Sequence, residues 1–181
     1  MAIPKANIHL AAVGRIKGSS AYLKEGITLY TERLKPYANI EITEVAEEAL
    51  TATKTEAQIK AREAEKLAPF IQKASVCVVL SEHGPVWHSG RLAQQLASWV
   101  EASGRGTGRA NPSNGGASPT ASGPIIFVIG GPLGVDTQLL QQAQATLSLS
   151  PLTFPHQMVR LLLLEQLYRS FKILRNEPYH K

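Results

Sequence analysis

A single cysteine, Cys77, stands among 181 residues, so no disulfide framework holds this chain together and a reducing compartment is its natural setting. Cys77 sits inside the apolar run ASVCVVL, a poor place for a nucleophile, since burial keeps a thiol protonated. No stretch is long and apolar enough to cross a bilayer, and the N-terminus lacks the charged start and apolar block of an export signal. The expected location is the cytoplasm, or the interior of an organelle after loss of a leader. Other absences narrow the chemistry. There is no G-x-S-x-G nucleophile elbow, no Gly-Lys-Ser/Thr of a phosphate loop and no G-x-G-x-x-G dinucleotide spacing. His83, His88, His156 and His180 fall at no metal-ligand spacing, so no metal is expected, and His9 reads as a strand residue. Acidic residues are the scarcer charge, 14 against 19 basic ones, and the net +5 favours a polyanionic partner such as RNA.

What is present fits one globular domain over residues 1–181, with 44% hydrophobic and 18% charged residues. NIHLAAVG from Asn7 reads as a buried strand closed by Gly14. Leu23, Ile27, Tyr30 and Leu34 then form the stripe of a helix between Ser20 and Tyr37. NIEITEVAE from Asn39 reads as a strand, and a charged helix follows from Lys54 to Gln72, its Glu and Lys side chains read as a solvated face. Val76 to Leu80 is a continuous apolar strand suited to burial on both sides. Ser89 to Glu101 is a helix with Leu92, Leu96 and Trp99 on one face. From Ser103 to Pro124 the text SGRGTGRANPSNGGASPTASGP has no large apolar residue, so it reads as a flexible surface insertion whose Arg105 and Arg109 are within reach of RNA. IIFVIGGPLGVD brings a further buried strand, and a short helix follows from Thr137 to Ala145. The alternation predicts an α/β fold, a largely parallel sheet with helices on both faces.

Ligands of open α/β sheets sit beyond the carboxyl ends of the strands, and three such ends carry unusual loops: LSEHGP after Leu80, GGPLG after Ile129 and SPLTFP after Leu149. Gly130, Gly131 and Gly134 admit close backbone approach, although glycines also make ordinary turns. The last loop is closed by Phe154-Pro155-His156 and leads into a leucine-rich helix interrupted by Arg160, Glu165, Tyr168 and Arg169. Glu165 and Arg169, four apart, suit an ion pair, and Leu163, Leu164, Leu167, Phe171 and Leu174 suit the core or a subunit interface.

The combination FVIGGPLG, LSLSPLTFPHQMVRLLLLEQLYRSF and the terminal NEPYHK resembles the RlmH family of SPOUT-class methyltransferases, as does the N-terminal IHLAAVGRIKGSSAYLKEGITLYTERLKPYANIEITEV. The resemblance covers nearly the whole chain except Ser103 to Pro124. It implies a SPOUT-type α/β knot with a C-terminal trefoil, a homodimer, and S-adenosylmethionine as cofactor. The implied reaction is methylation of N3 of a pseudouridine in 23S-type ribosomal RNA, within the ribosome or an assembled subunit. It further implies that Leu80, Gly130, Gly131, Gly134 and the loop Ser150, Pro151, Leu152, Thr153, Phe154 and Pro155 wrap the adenosyl group. The nucleotide side then falls to His180 and Tyr179, with Arg169 on phosphate or ring oxygen and His156 near the cofactor. Two departures touch the cofactor loops: Leu133 and Ser81 stand where family members often carry acids. Two rivals stay open, a non-catalytic RNA-binding or ribosome-assembly protein of the same fold and a SPOUT methyltransferase with another RNA target.

Overall fold

The computed structural model describes residues 4–104 and 123–179. Strands β1 (Ala6–Val13), β2 (Ala38–Val45), β3 (Val76–Leu80), β4 (Ile125–Ile129) and β5 (Ala145–Leu147) form a five-stranded sheet in the order β2-β1-β4-β3-β5. Every neighbouring pair is parallel. The two continuous apolar runs, β3 and β4, are buried at every position, as a strand covered on both faces requires.

Helices α1 (Leu23–Leu34), α3 (Ser89–Gly104) and α5 (His156–Leu174) cover one face, where Leu34, Leu96, Leu163 and Leu167 meet Leu10 and Phe127. On the other face, α2 (Glu56–Ile71) and α4 (Thr137–Gln142) bring Leu67 and Leu139 against Ala11, Cys77 and Val128. Chain steps toward the β2 edge cross the first face, and steps toward the β5 edge cross the second. Crossovers of a single hand demand that alternation. Local chemistry starts the helices: Thr55 and Gln58 form a reciprocal capping box before α2, and Asp136 accepts the Gln138 N–H at 2.8 Å before α4.

Several boundaries differ from expectation. The first helix begins at Leu23, not Ser20, because residues 18–20 form a 3-10 turn behind Gly14 and Gly18, whose φ values are 82° and 58°. The short helix ends at Gln142, and Ala145 instead pairs with Val78 in β5, after Gln144 N–H has bonded Cys77 O at 2.9 Å. That strand stops at Leu147, two residues before the expected end. α3 continues to Gly104, so Ser103 and Gly104 are helical, while Pro124 O accepts the Ser75 N–H at 3.0 Å at the entry to β4. The remainder of the expected insertion, with Arg105 and Arg109, lies outside the described residues.

β5 is an edge strand, yet the first turns of α5 stand at the carboxyl ends of β1 and β2 on the far side of the sheet. Residues 148–155 therefore pass across the ends of β3 and β4.

Candidate functional site

That crossing closes a cavity of about 250 Å³ at the carboxyl ends of β3, β4 and β5. Leu80–His83, Ile129–Val135, Leu147–Ser150 and Leu152–Phe154 line it, together with His156 and Val159 from α5, Leu140 from α4 and Lys60 from α2. Main-chain bonds join the loops. Ser81 N–H donates to Leu147 O at 3.0 Å and Ser148 N–H to Pro85 O at 3.0 Å.

The glycine turn is folded tightly. Gly134 N–H donates to Gly131 O at 3.0 Å, with Gly134 at φ 88°. A Cβ at Gly130 would lie 2.7 Å from the Gly134 carbonyl oxygen, and one at Gly131 would lie 2.8 Å from Glu63 Oε2. Gly130 admits no side chain, and one at Gly131 would have to displace the Glu63 carboxylate, so backbone forms this wall of the cavity. In the third loop Ser148 Oγ donates to Ser150 O at 2.8 Å and Leu152 N–H to Ser150 Oγ at 2.9 Å. These bonds present Leu152 and Phe154 at the mouth, exposed by 73% and 37%.

His156 begins α5 with its Nε2 buried and without a hydrogen-bond partner, 3.8 Å from Glu47 Oε2. Burial pulls its pKa below the ordinary 6.5, aided by Arg160 and opposed by Glu47, so the neutral ring is favoured. One turn on, Arg160 is fully buried. It donates to Val13 O at 2.6 Å, Gly14 O at 2.7 Å and Glu44 Oε1 at 2.9 Å, and Glu44 also accepts the Ile16 N–H. This guanidinium fastens α5 to the ends of β1 and β2.

Leu80, Gly130, Gly131, Gly134, Ser150, Leu152, Thr153 and Phe154 all line the cavity, and His156 joins them. Pro151 and Pro155 belong to the same loop but not to its lining, and Pro155 precedes the first turn of α5 as its N-cap. Arg169 and Tyr179 stand apart. Thirteen residues separate His156 from Arg169 on α5, about 20 Å at roughly 1.5 Å per residue. There Arg169 Nη2 and the Tyr179 hydroxyl both donate to Glu165 Oε1, at 2.6 and 2.8 Å, with the guanidinium 4.5 Å above the Tyr179 ring. Burial, then hydrogen bonding to Tyr30 and Glu165, pushes the Tyr179 hydroxyl pKa up. His180 lies outside the described residues.

Three residues escaped the sequence reading. Lys60 and Glu63 belong to the helix read as a solvated face, yet Lys60 lines the cavity and Glu63 is only 3% exposed. The signal was spacing, since Glu63 falls midway between Ile59 and Leu67 on the buried stripe of α2. Arg160, four residues after His156 inside a leucine run, carried a similar one.

A parallel α/β sheet with a loop-lined cavity beyond its carboxyl ends defines a small-molecule-binding protein of the open-sheet class. A family model described as a predicted SPOUT methyltransferase matches residues 6–108 and 115–180, and the chain belongs to that family. The match breaks only within the Gly/Ser/Pro-rich segment. Ribosomal RNA large subunit methyltransferase H of Acetivibrio thermocellus is 43% identical over 177 residues, spanning 96% of this chain and 99% of the relative. The protein of the same name from Syntrophomonas wolfei is 41% identical over 175 residues, spanning 95% and 98%. That from Bifidobacterium animalis subsp. lactis is 36% identical over 178 residues, spanning 97% and 99%.

Proposed function

We propose that this protein is an S-adenosylmethionine-dependent methyltransferase acting on N3 of a pseudouridine in large-subunit (23S-type) ribosomal RNA, as a homodimer on the ribosome or an assembled subunit. The observation that carries the reading is the convergence of three strand-end loops on one cavity. The relatives' name, which specifies large-subunit ribosomal RNA, supports the substrate.

The cavity suits the donor. Leu80, Leu152 and Phe154 offer apolar surface to an adenine ring, and the bare backbone at Gly130, Gly131 and Gly134 offers N–H and C=O groups to its polar edges. When bound, S-adenosylmethionine supplies a methyl group already activated by its sulfonium. What remains for the protein is to align the acceptor nitrogen and to receive the proton that N3 loses. His156, favoured neutral and lining the cavity, is the residue placed to hold that proton, its Nε2 buried beside Gly14 and 3.8 Å from Glu47 Oε2.

Arg169, some 20 Å along α5 from His156 at roughly 1.5 Å per residue, and Tyr179, joined to it through Glu165, do not serve the same acceptor base from one chain. A second copy supplies them. Exposed Tyr22, Leu29 and Ile173, on or beside α1 and α5, support such a partner surface. The path of residues 148–155 from an edge strand across the sheet to α5, between α1 and α3, supports the trefoil threading that the family resemblance implies.

The test is methyl transfer from labelled S-adenosylmethionine to ribosomes of a strain lacking the modification, mapped by mass spectrometry. The reading expects one added methyl on a large-subunit pseudouridine. Label at another nucleotide would move the target. Absence of transfer together with absence of affinity for S-adenosylhomocysteine would leave a non-catalytic RNA-binding or assembly role.

A further inference from the structure

We propose that Lys60 recognises the α-carboxylate of the donor's amino-acid part and so makes the cavity selective for the complete donor over its adenosine half. The inference rests on the reading of this cavity as the donor site. Residues three apart on a helix share a face, and Glu63, three residues after Lys60, has its Oε2 2.8 Å from the Cβ position of Gly131. That face of α2 therefore looks onto the glycine turn, and Lys60 lines the cavity beside it.

The remaining titratable side chains of the lining do not compete for the role. Glu82 is an acid, His83 lies 3.6 Å from it, and His156 is held toward its neutral form. Leu133 and Ser81 add no charge to the neighbouring loops. Glu63 on the same helix face accepts the Glu48 N–H at 3.0 Å, and Glu48 is itself held by Lys54 at 2.8 Å and Lys66 at 2.6 Å. Among the described residues no carboxylate stands within ion-pair distance of Lys60. A half-buried lysine on a cavity wall, without an ion-pair partner among the described residues, is the partner an incoming carboxylate takes.

Calorimetry with two ligands tests this. S-adenosylhomocysteine carries the amino-acid part, and 5′-methylthioadenosine lacks it. Lys60→Met is expected to weaken S-adenosylhomocysteine by about tenfold while leaving methylthioadenosine unchanged, and Lys60→Arg to recover most of the loss. Equal weakening of both ligands, or of neither, overturns the assignment. A wild-type chain that binds neither ligand overturns the donor-site reading itself.

Discussion

At Gly131 the difference between hydrogen and methyl decides whether the turn keeps its shape. A Cβ there meets Glu63 Oε2 at 2.8 Å, and Glu63, 3% exposed, has little freedom to withdraw. Gly131→Ala is expected to weaken S-adenosylhomocysteine binding at least about tenfold and to cost roughly 1–3 kcal/mol of stability, the usual range for overpacking. Calorimetry and urea unfolding check the two effects. Protonation supplies a second prediction. Burial is the main cause that lowers the pKa of His9 and of His156 below 6.5, so just below that pH these two imidazoles bind more protons in the unfolded chain than in the folded one, against the opposite contribution of Glu63, whose pKa burial raises. Stability should therefore fall as pH drops from about 7.5 to about 5.5, and His9→Asn should shrink the fall. A flat or rising unfolding midpoint over that range would contradict it. At this scale the cavity glycines are legible because loop glycines at strand ends are conspicuous, and Leu152 and Phe154 only through the family resemblance. Lys60, Glu63 and Arg160 are not, because a charged side chain on a helix reads as solvated until the packing partner of that face is known.

Among the elements, α5 joins core and site. Leu163, Leu164, Leu167 and Phe171 are buried against the sheet, and Leu167→Ala should cost roughly 2–5 kcal/mol by leaving a cavity. Arg160→Ala should cost about 3–5 kcal/mol by stranding Glu44 and the carbonyls of Val13 and Gly14. Denaturant unfolding measures both, and a loss below about 1 kcal/mol for Arg160→Ala would show that α5 is not fastened there. The strands β1, β3 and β4 are readable from their apolar runs, and β2 from the loose alternation of Ile40, Ile42 and Val45. β5 is readable only as a strand end, placed two residues late at Leu149, since three residues carry little pattern and their strand identity comes from pairing with β3. The start of α1 is hidden for a related reason. The backbone at Gly14 and Gly18 sets it, not the apolar stripe.

For the whole molecule, strand order and the crossing of residues 148–155 are nonlocal facts that no window of sequence contains. They explain why motifs distant in the chain share one cavity while Arg169 and Tyr179, close to His156 in sequence, do not. If a second copy completes each site, chains carrying His156→Ala and chains carrying Arg169→Ala, each impaired alone, should regain activity when co-assembled, because each mixed dimer keeps one intact site. No recovery in verified mixed dimers would place both residues in a single-chain site. The most direct measurement is a crystal structure of the protein with S-adenosylhomocysteine. The ligand is expected among Leu80, Gly131 and Ser150–Phe154, with its carboxylate toward Lys60. Ligand seated instead in the cavity at the amino ends of the strands, beside Asn7, Asn39 and Glu41, would contradict the account.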